Sequence, residues 1–389
     1  MKIIQVSPYD FAYPGGANNH LLNLDRELKR LGHETAIAAP SSNPSLSQLY
    51  PHLTILGRRP VPIPAGGSVA RITISFRLSS RVKDLLERGR FDIVHLHEPL
   101  APVLPWLFLR FSRSVNVGTF HAYQDWRRVP AQGYFYGRRI LRRWFERLHG
   151  RIAVSPPALE FVRRYFPGEY RIIPNGIAYE RFAGPAEPFP QYRDGRVNLL
   201  FVGRWEPRKG LKFLVRAFSL LRNRFDNIRL LVVGPDGGHR GAMMQTLARM
   251  GLAEDVVLVG YVRDEDLPRY YRSADIFCYP NTGLESFGLV LVEAMAAGLP
   301  IVASQVPGAL YLLNNGIEGF LVPPKDPEAL AAALSYLIED AMLRQRMGRA
   351  GQRKAWHFRW ESVAQQIVGY YEELLAEQAA LFDHASQGR

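Results

Sequence analysis

Apolar residues in this chain gather in short continuous runs, and between the runs they recur at a helical period. Residues 2–7 form the first run, followed by the turn 8–16 and then by Leu21, Leu24, Leu28 and Leu31 on one helical face. Short apolar runs bounded by turns predict buried strands, and the 3.6-residue period predicts helices packed against them. Residues 35–39, 91–99, 115–121, 151–155 and 170–177 continue the series to a Pro- and Gly-rich linker, 174–195. The pattern then restarts with predicted strands at 197–203, 229–234, 256–260, 274–280, 300–303 and 319–322, and ends in helices from 326 to 377. Strands alternating with helices predict parallel sheets and an α/β fold class. The expected domains are 1–174, joined by a C-terminal helix of about 366–389 that crosses back, and 175–365, each a Rossmann-like unit.

Chemistry concentrates where strands run into turns, the usual ligand edge of an open α/β sheet. Residues 281–298, N-T-G-L-E-S-F-G-L-V-L-V-E-A-M-A-A-G, carry a polar turn into an apolar helix. Ser286 reads as the cap, with the N–H groups of Phe287, Gly288 and Leu289 open to an anion. Glu285 and Glu293 lie two helical turns apart on one edge, and ionised carboxylates accept from hydroxyls, so the pair suits a hexose and a ribose with a diphosphate between. An acid among Val290, Leu291, Val292 and Met295 also needs a partner. In the turn 204–210, Arg204 and Lys209 can place a fork of donors and a point charge on the same diphosphate. Pro14-Gly15-Gly16 lets backbone approach a phosphate or sugar, and His121 ends its strand at this same edge.

The charge of +13 changes the picture once it is divided. Residues 1–174 hold 25 Lys+Arg against 12 Asp+Glu, and residues 175–389 hold 24 against 24. A basic half suggests nucleic acid or acidic lipid. Residues 134–148 set Ile140, Leu141, Trp144, Phe145 and Leu148 among Arg138, Arg139, Arg142, Arg143 and Arg147, which describes either an interfacial helix or one packed on the core. Residues 104–111 are expected to expose Trp106, Phe108 and Phe111. No helix-turn-helix, finger or RNP pattern supports nucleic acid. A single cysteine, Cys278, in an apolar strand excludes a disulfide framework and fits a reducing cytoplasm. No run of eighteen apolar residues and no signal peptide is evident, so membrane contact is expected to be peripheral. No metal motif is visible in the sequence.

The E-x7-E spacing inside E-S-F-G-L-V-L-V-E-A-M-A-A-G resembles the retaining glycosyltransferases of family 4, and over nearly the whole chain the phosphatidylinositol mannosyltransferases within them. The resemblance implies a GT-B fold, two Rossmann-like domains with a cleft between them. It implies catalytic roles for His121, Arg204, Lys209 and Glu285. It implies donor contacts from Gly16, Arg204, Lys209, Val262, Asp264, Glu285, Phe287, Gly288, Leu289 and Glu293. Acceptor contacts fall to Tyr9 and Asn18 and, in the Pro-rich loop 59–71 with Gly66 and Gly67, read as irregular, to Pro62 and Arg71; membrane contacts fall to Arg138, Arg139, Arg142, Arg143 and Trp144. The implied donor is GDP-mannose, with no catalytic metal required although Mg2+ can accompany it. The implied acceptor is an inositol phospholipid on the inner face of the cell membrane, with no nucleic-acid partner. Another reading stays open: a family 4 hexosyltransferase that uses a UDP-sugar on another lipid, an inositol phosphate or a polysaccharide.

Overall fold

The computed structural model describes residues 1–389 apart from 14, 66–67, 124–131, 284 and 388–389. Pro14, Gly66, Gly67 and Leu284, all part of the readings above, therefore lie outside the described residues. The chain divides into two compact units, Met1–Gly176 with Trp360–Arg389, and Ile177–Arg359. The return to the first unit starts at Trp360, earlier than the expected 366, because Trp360, Val363, Ala364 and Ile367 already belong to that unit's core.

The strands in chain order are β1 Lys2–Val6, β2 Glu34–Ala39, β3 Leu53–Ile55, β4 Val61–Ala65, β5 Ser68–Ile72, β6 Ile93–His97, β7 Val115–Phe120, β8 Gly150–Ala153 and β9 Arg171–Ile172 in the first unit. Those of the second are β10 Val197–Val202, β11 Ile228–Val233, β12 Val256–Gly260, β13 Ile276–Tyr279, β14 Ile301–Ser304 and β15 Gly319–Val322. Among the described residues the first sheet is ordered β3-β2-β1-β6-β7-β8-β9 and the second β12-β11-β10-β13-β14-β15, with parallel pairing throughout. Each order reverses direction at its first strand. Those switch points fall between β1 and β6 and between β10 and β13, where open α/β sheets bind ligands.

The apolar runs are strands because both faces of a parallel sheet are covered. Ile4, Val6, Val94 and Leu96 face one layer of helices, while Ile3, Ile93, Val115 and Val117 face Leu24, Leu28 and the terminal helix with Tyr371. The second sheet divides likewise, with Leu199, Leu230 and Cys278 on one side and Leu200, Leu231 and Phe277 on the other. Cys278 is buried, and burial alone pushes its thiol well above the usual range.

Two local expectations are corrected, and one open alternative is decided. The Pro-rich segment is regular: β4 and β5 form an antiparallel hairpin with Pro62 opposite Arg71 and Pro64 opposite Val69. Prolines two apart occupy equivalent ladder positions, so both missing N–H groups can fall on the side that carries no bond. In the helix Leu104–Phe111, Phe108 is fully buried and Trp106 and Phe111 are only partly exposed, packed on the core. In the helix Gln132–Phe145 and just beyond it, Leu141, Phe145 and Leu148 are buried and Trp144 stacks on Trp106 at 6.1 Å. The aromatic stripe is thus core, and the outward face is left to Ile140 and to arginines that include Arg138, Arg139, Arg142 and Arg143. Among the described residues no helix is long and apolar enough to cross a membrane.

Candidate functional site

In the second unit, the turn after β10 and the turn after β13 meet at the switch point. Gly210 has φ +71°, and a Cβ there would stand 1.9 Å from the Pro280 carbonyl oxygen, so only glycine allows the approach. Thr282 N–H also donates to the Arg208 carbonyl at 2.8 Å. This contact carries the 3₁₀ turn Pro207–Lys209 up to Glu285.

Glu285 receives three donors on one oxygen, Oε2: Lys209 Nζ at 2.5 Å, Asn281 Nδ2 at 3.1 Å and Arg208 Nη1 at 3.2 Å. Burial alone would raise its pKa, but Lys209 and Arg208 hold it below the ordinary carboxylate value. Arg208 also donates from Nε to Glu206 at 2.8 Å, and Arg204 bridges to the other oxygen of Glu206 at 3.1 Å. Arg204, more than half exposed, is the outermost cation of this network. Arg204, Lys209 and Glu285, expected together, are joined by Arg208, Glu206 and Asn281, which the sequence reading did not assign.

Glu293 sits in the helix Leu289–Ala296 and accepts from the buried Tyr271 hydroxyl at 2.8 Å. Burial pushes its pKa up to about 6, while Tyr271 and Arg181 work in the opposite direction. Arg181 is itself bonded to Asp264 at 2.9 Å, so Asp264 stands at the edge of this second acidic site. Val262 is half-buried and packs on the core nearby. The expected Ser286 cap is corrected. Gly288, at φ 94°, occupies the N-cap and the helix begins at Leu289, because a left-handed residue precedes the first turn. Leu289 is therefore the first helical residue, whose N–H has no carbonyl partner within its own helix. Phe287 is buried, outside the helix.

The first unit gathers histidines at its own switch point. His97 ends β6, His121 follows β7, and His20 lies in the helix Gly16–Arg30, which starts directly after Gly15. His97 Nδ1 and His121 Nε2 face each other at 3.2 Å, and the His20 ring is 4.8 Å from that of His121. Burial drives all three below the ordinary imidazole value, His121 to about 4, so they are neutral rings at pH 7. Among the described residues this is the group able to share a metal ion, its ligand atoms lying within 4.8 Å of one another. Glu98, at φ +50°, accepts the backbone N–H groups of His121 and Ala122 at 2.8 and 2.7 Å and so fixes the main chain from which His121 projects. Burial raises Glu98 to about 7 against those two donors. It was not foreseen.

The expected acceptor residues divide. Both amide hydrogens of buried Asn18 go to the carbonyls of Asp10 and Tyr13, and Ser7 donates to its oxygen, so Asn18 braces the 8–16 turn from within. Tyr9 is held by its N–H to Ser7 and bridges to Ile72 of the hairpin. Arg71 lies over the Tyr13 ring at 3.9 Å, and Pro62 is exposed on the same hairpin. No Cβ contact would limit a side chain at Gly16, which leaves open space before its helix.

Residues 14–181 match the model of Glycosyltransferase Family 4, and residues 188–354 that of Glycosyl transferases group 1. The chain is 38% identical over 374 residues to the phosphatidyl-myo-inositol mannosyltransferase of Mycobacterium leprae, covering 96% of each chain. It is 28% identical over 396 residues to the D-inositol 3-phosphate glycosyltransferase of Kribbella flavida, covering 94% of this chain and 92% of that one. Among solved structures it resembles sucrose-phosphate synthase from Thermosynechococcus elongatus, with a TM-score of 0.75 at 23% identity over 97% of this chain and 99% of that one. That likeness gives the fold, GT-B, with its two parallel-sheet Rossmann-like domains.

Proposed function

The chain belongs to glycosyltransferase family 4, and from that membership we propose that it transfers mannose from GDP-mannose to the inositol ring of phosphatidylinositol or a related inositol lipid. Enzymes of this family use a nucleotide-sugar donor. The observation that carries the finer reading is the 38% identity, over nearly the whole chain, to a relative named a phosphatidyl-myo-inositol mannosyltransferase. The site chemistry supports it. Arg204, Arg208 and Lys209 supply fixed positive charge for a departing diphosphate, and such preorganised donors need no reorganisation as charge develops. Glu285 takes hydroxyls of the transferred sugar, and Glu293 those of the ribose, with Tyr271 holding the ribose acid in place. Neutral His121, its backbone held by Glu98 and its ring against His97, positions the sugar and does not act as a base. Tyr9, Arg71 and Pro62 form the acceptor side, Arg71 meeting the lipid phosphate. The outward arginines of the helix Gln132–Phe145 dock the enzyme peripherally on the acidic inner face of the membrane.

The buried aromatic stripe favours a second reading, transfer to a soluble inositol phosphate, because an enzyme with such an acceptor needs no apolar insertion. One experiment separates the two. Purified protein is given radiolabelled GDP-mannose with phosphatidylinositol or with inositol phosphate, and the label is partitioned between organic and aqueous phases. Label in the organic phase supports the lipid acceptor, label only in the water-soluble product supports the second, and no transfer from GDP-mannose to either overturns the donor assignment.

A further inference from the structure

A cavity of about 680 Å³ opens between the helix Gln132–Phe145 and the turn that follows the helix Pro156–Tyr165, well within the roughly 300–1,000 Å³ of small-molecule sites. Among the described residues, Arg138, Arg139, Arg142 and Arg151 line it with one acid, Glu146. That acid is bonded to Arg142 at 2.8 Å, so the cavity keeps a surplus of positive charge. Arg151 comes from β8 and lies over the Phe145 ring at 4.3 Å, which fixes its plane. Its Nε is buried without an acceptor, and a buried donor of this kind is costly to leave unpaired. Gly168 forms part of the wall: a Cβ there would sit 3.4 Å from Phe145 and 3.6 Å from Arg151 Nη1, ordinary contact that admits a test substitution. None of the lining residues belongs to the donor or acceptor groups described above.

We propose that this cavity is a second, non-catalytic site, one that binds the phosphate of an organic phosphate headgroup. Planar guanidinium forks match phosphate oxygens in pairs, and several converging forks select a phosphate over a diffuse anionic surface. The expected source is an acidic phospholipid of the bilayer. That identification rests on the membrane-docking reading, whereas the site itself does not.

The test compares two double variants with equal loss of charge, Arg138→Ala/Arg139→Ala in the cavity and Arg110→Ala/Arg143→Ala on exposed positions outside it. In one arm the full-length proteins are sedimented with phosphatidylcholine vesicles containing phosphatidylinositol, and in the other they are titrated calorimetrically with glycerophosphoinositol. The cavity pair should lose at least about tenfold more affinity than the outside pair in both arms. Gly168→Glu, which keeps every arginine and adds a carboxylate facing Arg151, should abolish the soluble binding. Equal losses for the two pairs in both arms would overturn the proposal in favour of diffuse charge. A selective loss with glycerophosphoinositol alone would keep the site but make its ligand a soluble phosphate. Sugar transfer is read in neither arm, so a failed activity assay and a failed cavity leave separate signatures.

Discussion

The Lys209 ammonium lies 2.5 Å from Oε2 of Glu285, which ties the turn after β10 to the turn after β13. The pair orients both groups: the carboxylate uses one of three ammonium donors and leaves two for the diphosphate proposed there. Lys209→Ala should therefore lower kcat by about 100-fold or more. Arg208 and Asn281 still hold Glu285 in that variant, so the fold should persist. Near-parent turnover in a folded Lys209→Ala protein would remove the lysine from the mechanism.

Glu293 differs from Glu285 in having a hydroxyl partner, Tyr271, instead of cations. The role at a ribose proposed for it predicts that Glu293→Gln weakens nucleoside diphosphate binding by roughly 1–3 kcal/mol, while Glu285→Gln spares binding and harms transfer. The raised value of about 6 adds a pH signature. Only the ionised acid accepts from two hydroxyls, so nucleotide affinity should fall as pH drops through 6. Tyr271→Phe removes a bond that favours ionisation and should move that midpoint upward. Calorimetric titration between pH 5 and pH 8, as a range spanning roughly this midpoint, reads both effects; a flat profile in the parent would reassign Glu293.

Strand positions were legible because a strand buried on both faces must be apolar throughout, as Leu199 to Phe201 and Ile276 to Tyr279 are. Arg204, Lys209 and Glu285 were legible because motif and strand end coincide. Arg208 was hidden because nothing local tells which cations of the turn 204–210 reach Glu285: Arg208 and Lys209 both do, while Arg204 bonds to Glu206. Tyr271 stands 22 residues from Glu293, and nothing local to either marks the bond. Glu98 and His20 were missed for the same reason, since β6, β7 and the helix Gly16–Arg30 meet only in the folded sheet. The hairpin was misread because local proline content outweighed a pairing that forms between separated residues.

The buried imidazoles predict how stability depends on pH. His121 is lowered to about 4 and His95 to about 3, chiefly by burial, and His20 and His97 are lowered as well. Unfolded histidine titrates near 6.5, so the unfolded chain takes up protons that the folded one refuses. The stability these groups contribute is present above about pH 6.5 and is lost as pH falls toward 4. Glu98 has the opposite sign: with its folded value near 7 it takes up a proton in the native state, which partly offsets the loss between about 7 and 4.5. The melting temperature should therefore fall on acidification from pH 7 to pH 5, and fall more steeply in Glu98→Gln. A Glu98→Gln protein with the parent's slope would show that Glu98 ionises normally.

The helix Gln132–Phe145 gives the last prediction, because its apolar side chains were open to two assignments. Leu141 is 6% exposed and belongs to the core cluster with Phe108 and Phe145, whereas its neighbour Ile140 is 66% exposed. Truncating a packed leucine removes its transfer energy and leaves a cavity, so Leu141→Ala should cost about 2–5 kcal/mol. Ile140→Ala, which empties nothing, should stay within about 0.5 kcal/mol. Were the stripe inserted in lipid instead, Leu141→Ala would spare stability in solution and weaken vesicle binding. Urea unfolding of both variants, alongside sedimentation with phosphatidylinositol vesicles, distinguishes the cases. Docking through arginines, with the stripe in the core, also requires that salt release the protein, since charges at a surface are screened over roughly 8–10 Å at physiological ionic strength. Retention on acidic vesicles in high salt would show that an apolar surface other than Leu141, Phe145 and Leu148 enters the bilayer.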